Sequence, residues 1–219
     1  MATEIKYTNR YDKILTPQQL NQTEDFVKQT YVDGMLKMKE DNYRTNKNNK
    51  KFKRVTYFLD DVAEDKNTIA EQFCNVEENA SCTIRYNKQT ANGFTLWDVQ
   101  FYDIDGQPAG AGGQEVYDSQ GRIVYSSSFY EQTGQLRSVT KVMYANQVEN
   151  AWEDALFDFH FSFDFDTGGI NFTISDTNHR YHWLMPQNID VEFVQGEGYW
   201  DSHPYYHSHL PVLPQTPII

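Results

Sequence analysis

From residue 82 to about residue 193 the chain runs in short aromatic and β-branched stretches separated by Gly, Asp and Asn. That texture predicts a mainly antiparallel sheet. Its clearest stretch is Phe157-Asp158-Phe159-His160-Phe161-Ser162-Phe163-Asp164-Phe165-Asp166, where five Phe alternate with five polar residues. At period 2 one strand face is wholly aromatic and the other carries Asp158, His160, Ser162, Asp164 and Asp166. Thr167-Gly168-Gly169 supplies a turn, and Ile170-Asn171-Phe172-Thr173-Ile174 returns with the same alternation, which predicts a hairpin. Residues 181–184 and 191–194 predict two further strands.

The first 80 residues read differently. Thr16-Pro17-Gln18-Gln19 carries a helix start, with Thr16 as the cap, Pro17 at the first helical position and Gln19 completing a capping box. Leu20, Val27, Tyr31, Met35 and Met38 follow at three-to-four spacing and predict an amphipathic helix over about residues 17–40. Val55-Thr56-Tyr57-Phe58-Leu59 predicts a strand. Asp60 and Asp61 open a second apolar periodicity through Val62, Ile69, Ala70 and Phe73, a shorter helix with acid at its start. The expected fold class is α+β: one or two N-terminal helices, then an antiparallel meander, then an extended Pro-rich C-terminal tail. The expectation is one domain over 1–219, with a helical part at 1–80, a β body at 81–198 and a tail at 199–219 that carries Pro204, Pro211, Pro214 and Pro217.

An internal repeat lies in the β body. Tyr102-Asp103-Ile104-Asp105-Gly106-Gln107, Tyr117-Asp118-Ser119-Gln120-Gly121-Arg122 and Tyr130-Glu131-Gln132-Thr133-Gly134-Gln135 share Tyr, acid, two residues, Gly and a polar residue, and Tyr144 follows at the next interval. The physical reading is a strand ending in Tyr, a tight turn whose Gly takes positive φ, and a return strand. Residues 97–144 resemble the YD units of RHS proteins and the related hairpin repeats of some bacterial immunity and antitoxin proteins. Residues 109–113, Ala-Gly-Ala-Gly-Gly, interrupt the first unit where that pattern has a strand, and predict a loop or bulge.

Charge sharpens the picture. The 219 residues hold 19 Lys+Arg against 31 Asp+Glu, a net of -12. Residues 1–54 carry 12 basic and 7 acidic side chains, a net of +5, so the remaining 165 residues carry 7 and 24, a net of -17. Such a body argues against nucleic acid as a partner, since phosphate binding needs a basic surface. The basic run at residues 47–54 reads as a solvated loop between a helix and a strand. No apolar run is long enough for a membrane span and the N-terminus has no apolar leader, so a cytoplasmic location is expected. Cys74 and Cys82 lack zinc spacing and read as reduced thiols, Cys74 as a small apolar residue at a helix end.

No constellation for catalysis emerges, and no cofactor or metal is implied. His203, His207 and His209 cluster near Asp201, but Pro204 breaks the segment that would have to hold them in ligand geometry. Alternate carboxylates on one strand stand about 6.6 Å apart, too far to close a shell unaided. Asp166-Thr167-Gly168 spells the aspartic-protease triplet once, with Gly169 after it, and a hairpin turn explains the same letters. The expected function is therefore binding: an acidic protein that neutralises a basic protein partner, as an immunity protein does to a bacterial toxin or effector. The expected contact residues are Asp158, His160, Asp164 and Asp166 on the strand face, and Asp103, Asp105, Asp118 and Glu131 at the repeat turns. The alternatives are a small-molecule-binding or enzymatic barrel with an aromatic-lined cavity, and an adaptor domain.

Overall fold

The computed structural model describes residues 2–44, 50–61, 63–144, 157–163, 165, 170–176, 181–184, 203–210 and 212–215. Twelve strands form one sheet in chain order: β1 (Thr3–Thr8), β2 (Phe26–Val32), β3 (Met35–Arg44), β4 (Lys51–Phe58), β5 (Ala80–Ala91), β6 (Phe94–Tyr102), β7 (Pro108–Tyr117), β8 (Ile123–Tyr130), β9 (Leu136–Tyr144), β10 (Phe157–Phe163), β11 (Ile170–Asp176) and β12 (Tyr181–Leu184). Two short helices, α1 (Pro17–Leu20) and α2 (Lys66–Phe73), and one 3-10 turn at Pro204–Tyr206 complete the described elements. The chain divides into two compact units, one of residues 1–88 and 98–111, the other of residues 89–97 and 112–219.

In the first unit, the long helix expected over 17–40 is replaced by a hairpin. The capping box forms as read, with the Gln19 N–H donating to Thr16 Oγ1 at 3.3 Å and the Thr16 N–H to Gln19 Oε1 at 3.0 Å. The helix nevertheless ends at Leu20, and β2 and β3 follow, paired antiparallel from Phe26↔Asn42 to Val32↔Met35. Asp33 and Gly34 sit between them at φ 48° and 83°, the left-handed pair of a two-residue hairpin. Thr30 pairs with Met38 and Tyr31 with Leu36, so the register irregularity there leaves Lys37 as an extra residue in β3. Lys51 to Arg54, expected in a loop, lie within β4.

β4 and β5 are parallel, with Val55↔Cys82 and Tyr57↔Ile84, and α2 sits in the crossover that a parallel pair requires. The start of α2 falls at Asp65, not at Asp60 and Asp61, because the Asp65 carboxylate is the one that accepts from the Thr68 N–H, at 2.8 Å. Ile69 and Ala70 are buried with Val55, Tyr57, Cys82, Ile84 and Tyr102 to form the core of this unit.

The repeat folds as hairpins. β6, β7, β8 and β9 end at Tyr102, Tyr117, Tyr130 and Tyr144. In the first turn the Asp103 N–H bonds Gln107 O and the Gly106 N–H bonds Asp103 O; in the second, Asp118 and Gly121 repeat the pattern with Arg122 and Asp118. Gly106, Gly121 and Gly134 have φ of 76°, 77° and 66°, the conformation that glycine adopts without a steric penalty. Residues 109–113 are not a loop but part of β7. The backbone there comes so close to β8 that a Cβ on Gly113 would stand 2.2 Å from Ser127 O, so glycine continues the strand where a side chain would break it.

The second unit has its own core of Phe94, Leu96, Val116, Val124, Tyr125 and Val139, with Tyr144, Phe163, Val212 and Leu213 packed against it. β10 pairs with β9 and β11 in the register Lys141↔Phe161↔Phe172. Phe161 is fully buried, whereas Phe165 past the strand end is exposed. The strand expected at 191–194 and the turn at 167–169 lie outside the described residues.

Candidate functional site

The repeat turns put their carboxylates in unequal circumstances. Asp103, Asp105 and Glu131 are exposed. Asp105 Oδ1 accepts only the local Gln107 N–H, at 3.1 Å, among its described contacts. Asp118 is spent inside its own turn: Oδ1 accepts from the Gln120 and Arg122 N–H groups at 2.9 Å, and Oδ2 takes Arg122 Nε at 2.8 Å and Nη2 at 2.7 Å. Its side chain is only 7% exposed. Arg122 in turn lies 4.2 Å over the ring of Tyr144, whose hydroxyl donates to Ile123 O. Asp118 therefore holds the hairpin together, while Asp103, Asp105 and Glu131 face outward. Asp118 and Glu131 flank opposite ends of β8, and Asp103 and Asp105 belong to the first unit.

On β10, His160 is half-buried and lies opposite Val142 and Thr173. Asp158 lies opposite Tyr144 and Ser175. The Asp158 side chain, Asp164, Asp166 and the Asp166-Thr167-Gly168 triplet lie outside the described residues. Among those described, no group of three His, Cys, Asp or Glu is placed to hold a metal. His209 stands edge-on to Phe165 at 5.5 Å, and the His203 carbonyl closes the 3-10 turn by accepting the Tyr206 N–H. Burial pushes the Cys82 thiol up to about 12, and the Cys74 thiol is raised for the same reason, so neither is poised as a thiolate.

Two arrangements were not anticipated from the residues. In the first unit, Lys37 Nζ donates at 2.6 Å to both Asp60 Oδ1 and Glu64 Oε2, and Tyr57 Oη donates at 2.5 Å to Glu64 Oε1. Burial acts against the Lys37 charge, but the two carboxylates outweigh it and raise its pKa. Burial and the Glu64 hydrogen bond push Tyr57 up to about 12. This network forms one wall of a groove of about 410 Å³ lined by Leu59, Asp61, Asp65, Lys66, Tyr86 and Lys88. The lining is mostly charged, with Tyr86 as its one aromatic residue.

In the second unit, Lys141 is wholly buried. Its Nζ donates to Tyr205 O at 2.6 Å and lies 3.8 Å over the Tyr205 ring, and among the described residues no carboxylate pairs with it. Burial pulls its pKa down to about 7. The sequence did hold a signal: Val139-Thr140-Lys141-Val142-Met143 places a Lys on the same alternate face as Val139 and Met143, and both of these are buried.

Charge divides between the units as sharply as it does along the chain. The first unit holds 15 basic and 17 acidic residues, a net of -2, and the second holds 4 basic and 14 acidic, a net of -10. Of the four cations in the second unit, Lys141 is buried and Arg122 is bound to Asp118. No protein-family model, curated protein or solved structure matches this chain.

Proposed function

We propose that this protein is an acidic binding protein that neutralises a basic protein partner, in the manner of an immunity protein facing a bacterial toxin or effector. The observation that carries this reading is the second unit's excess of acid, 14 acidic residues against 4 basic ones, of which Lys141 is buried and Arg122 is bound to Asp118. A field of one sign steers an oppositely charged protein toward its surface and raises the association rate, an effect that salt removes. Glu131 is the exposed contact at the repeat turns of this unit, and the alternating sequence offers Asp158, Asp164 and Asp166 as the further carboxylates of the reading. Asp103 and Asp105 extend the acidic turns into the first unit.

The test is binding to the product of the adjacent gene, measured at two salt concentrations. Association is expected to slow about tenfold or more between low and high salt. Changing Asp158, Asp164 and Asp166 together to Asn is expected to slow it further without unfolding the chain, whereas Asp118→Asn should loosen the β7–β8 hairpin instead. A salt-independent rate, or a triple variant that associates as fast as the parent, would remove the acidic surface from the mechanism.

A further inference from the structure

The sheet of the first unit sorts its charges between its two faces. Residues opposite one another in a register share a face, and successive residues of a strand alternate between faces. Lys28, Glu40, Val55 and Cys82 form one row across β2 to β5. Val55 and Cys82 are buried with Ile69 and Ala70, so this is the face that α2 covers. Lys53 lies on the same side of β4 as Val55. The cations here have carboxylates: Lys28 Nζ stands 2.6 Å from Glu40 Oε2, and Lys53 Nζ 2.8 Å from Glu78 Oε2.

The opposite face carries Lys39 on β3 and Arg54 on β4, followed along these strands by the cross-strand pair Tyr43 and Phe52. Arg54 is exposed and Lys39 half-buried, and no described ion pair engages either, although Asp41 stands opposite Arg54 in the register. The Tyr43 and Phe52 rings stack with centroids 5.9 Å apart and planes 16° from parallel, and Lys50 Nζ lies 5.8 Å from the Phe52 centroid. On β1 and β2 of the same face Lys6 Nζ lies 4.6 Å over the Tyr31 ring. Among the described residues the ion pair of this face is Lys6 with Glu4, 3.4 Å apart and exposed. Cations without acid partners beside stacked rings are complementary to a ligand that is both anionic and built of planar rings.

We propose that this face of β1 to β4 binds single-stranded nucleic acid, with bases stacking on Tyr43 and Phe52 and phosphates held by Lys39 and Arg54. A duplex hides its base faces and an acidic protein has no bases to stack, so neither uses the rings and the cations together. The acidity that argues against nucleic acid belongs to residues 55–219, net -17, whereas β1, β2 and β3 come from residues 1–54, net +5. The site lies in the first unit and owes nothing to the acid excess of the second.

The probe is a fluorescein-labelled 15-nucleotide oligothymidylate, titrated with the full chain and followed by anisotropy at several salt concentrations, with the same sequence in duplex form as a second probe. Arg54 and Lys53 are neighbours on β4 with the same charge and opposite faces, so Arg54→Gln and Lys53→Gln alter net charge equally. Arg54→Gln, and likewise Lys39→Gln, is expected to weaken binding at least threefold and to flatten the slope of log affinity against log salt by about 0.7. Lys53→Gln should change binding by less than about twofold. Phe52→Leu and Tyr43→Leu should each weaken binding about fivefold or more with the slope unchanged, as loss of a stacking ring requires. The two ring variants lie on different strands, and melting of each shows that it is folded at the assay temperature. No binding of the oligonucleotide by the parent at low salt would overturn the proposal, as would equal losses in Arg54→Gln and Lys53→Gln. Folded ring variants that bind as tightly as the parent, or a duplex that binds as tightly as the single strand, would show a face that attracts negative charge without reading bases, and would overturn it too.

Discussion

Lys141 shows how a single side chain can make stability depend on pH over an unusual range. Its folded pKa lies at about 7 because burial disfavours the charged amine, against an ordinary value of 10.5. Between these values the unfolded chain holds a proton that the folded chain lacks, so stability rises as pH rises from 7 toward 10.5; below 7 both states are protonated and the penalty is constant. Tyr205 and Tyr125, raised by their own burial, begin to oppose the trend once unfolded tyrosines ionise near their ordinary value of 10.0. We expect the parent's melting temperature to climb between pH 7 and about 9.5, and Lys141→Met to flatten that climb. Equal slopes in the two proteins would show that Lys141 stays solvated. The residue was legible in the sequence only as an anomaly, a Lys on an apolar alternate face. Nothing local reveals that residues 205 and 206, more than sixty positions away, close over it.

At the level of elements, turn chemistry outweighed periodicity. Leu20, Val27, Tyr31, Met35 and Met38 match a helical stripe, yet Asp33-Gly34 lies in their midst and supplies the positive φ angles that reverse a chain in two residues. The same logic read correctly at Gly106, Gly121 and Gly134 located three hairpins, because there the strands between turns alternate cleanly. Residues 109–113 went the other way: glycine meant close approach of neighbouring backbone, visible only once Ser127 stands opposite. The β10–β11 hairpin was legible from alternation alone, and its register can be tested. Phe161 is fully buried while Ser162, the next residue, points to the other face and is half-buried. Phe161→Asp should cost several kcal/mol, about 3–5 for the lost ring with the buried carboxylate added. Ser162→Asp should change stability by less than about 1 kcal/mol, within the usual range for substitutions away from the core. Chemical denaturation of both variants checks this, and equal losses would mean that β10 is out of register by one.

For the whole molecule, the sequence announced its acidity but not where it resides in three dimensions. The boundary drawn along the chain at residue 54 gives +5 and -17, whereas the folded units give -2 and -10, because the parallel β4–β5 pair and its α2 crossover bring acidic residues such as Asp60, Glu64, Asp65 and Glu78 into the same unit as the basic N-terminal strands. There they pair: Lys37 with Asp60 and Glu64, Lys28 with Glu40, Arg44 with Glu24, and Lys53 with Glu78. In each of Asp60, Glu24 and Glu78 the cationic partner holds the carboxyl below its ordinary range, against the opposing pull of burial that is greatest at Asp60. The second unit has too few cations for such pairing, so its carboxylates repel one another. Added salt, which shortens the screening length from about 10 Å at 0.1 M to about 3 Å at 1 M, should therefore act on the two units in opposite senses. Amide exchange followed by mass spectrometry on the intact chain would resolve them. As salt rises, protection in β8 and β9 should increase by relief of repulsion, while protection in β3 and β4 should hold or fall as their ion pairs weaken. If both sets of strands shifted in the same direction and by the same factor, the unequal division of charge would have no energetic consequence for the fold, and the -10 of the second unit would be left as a surface property alone.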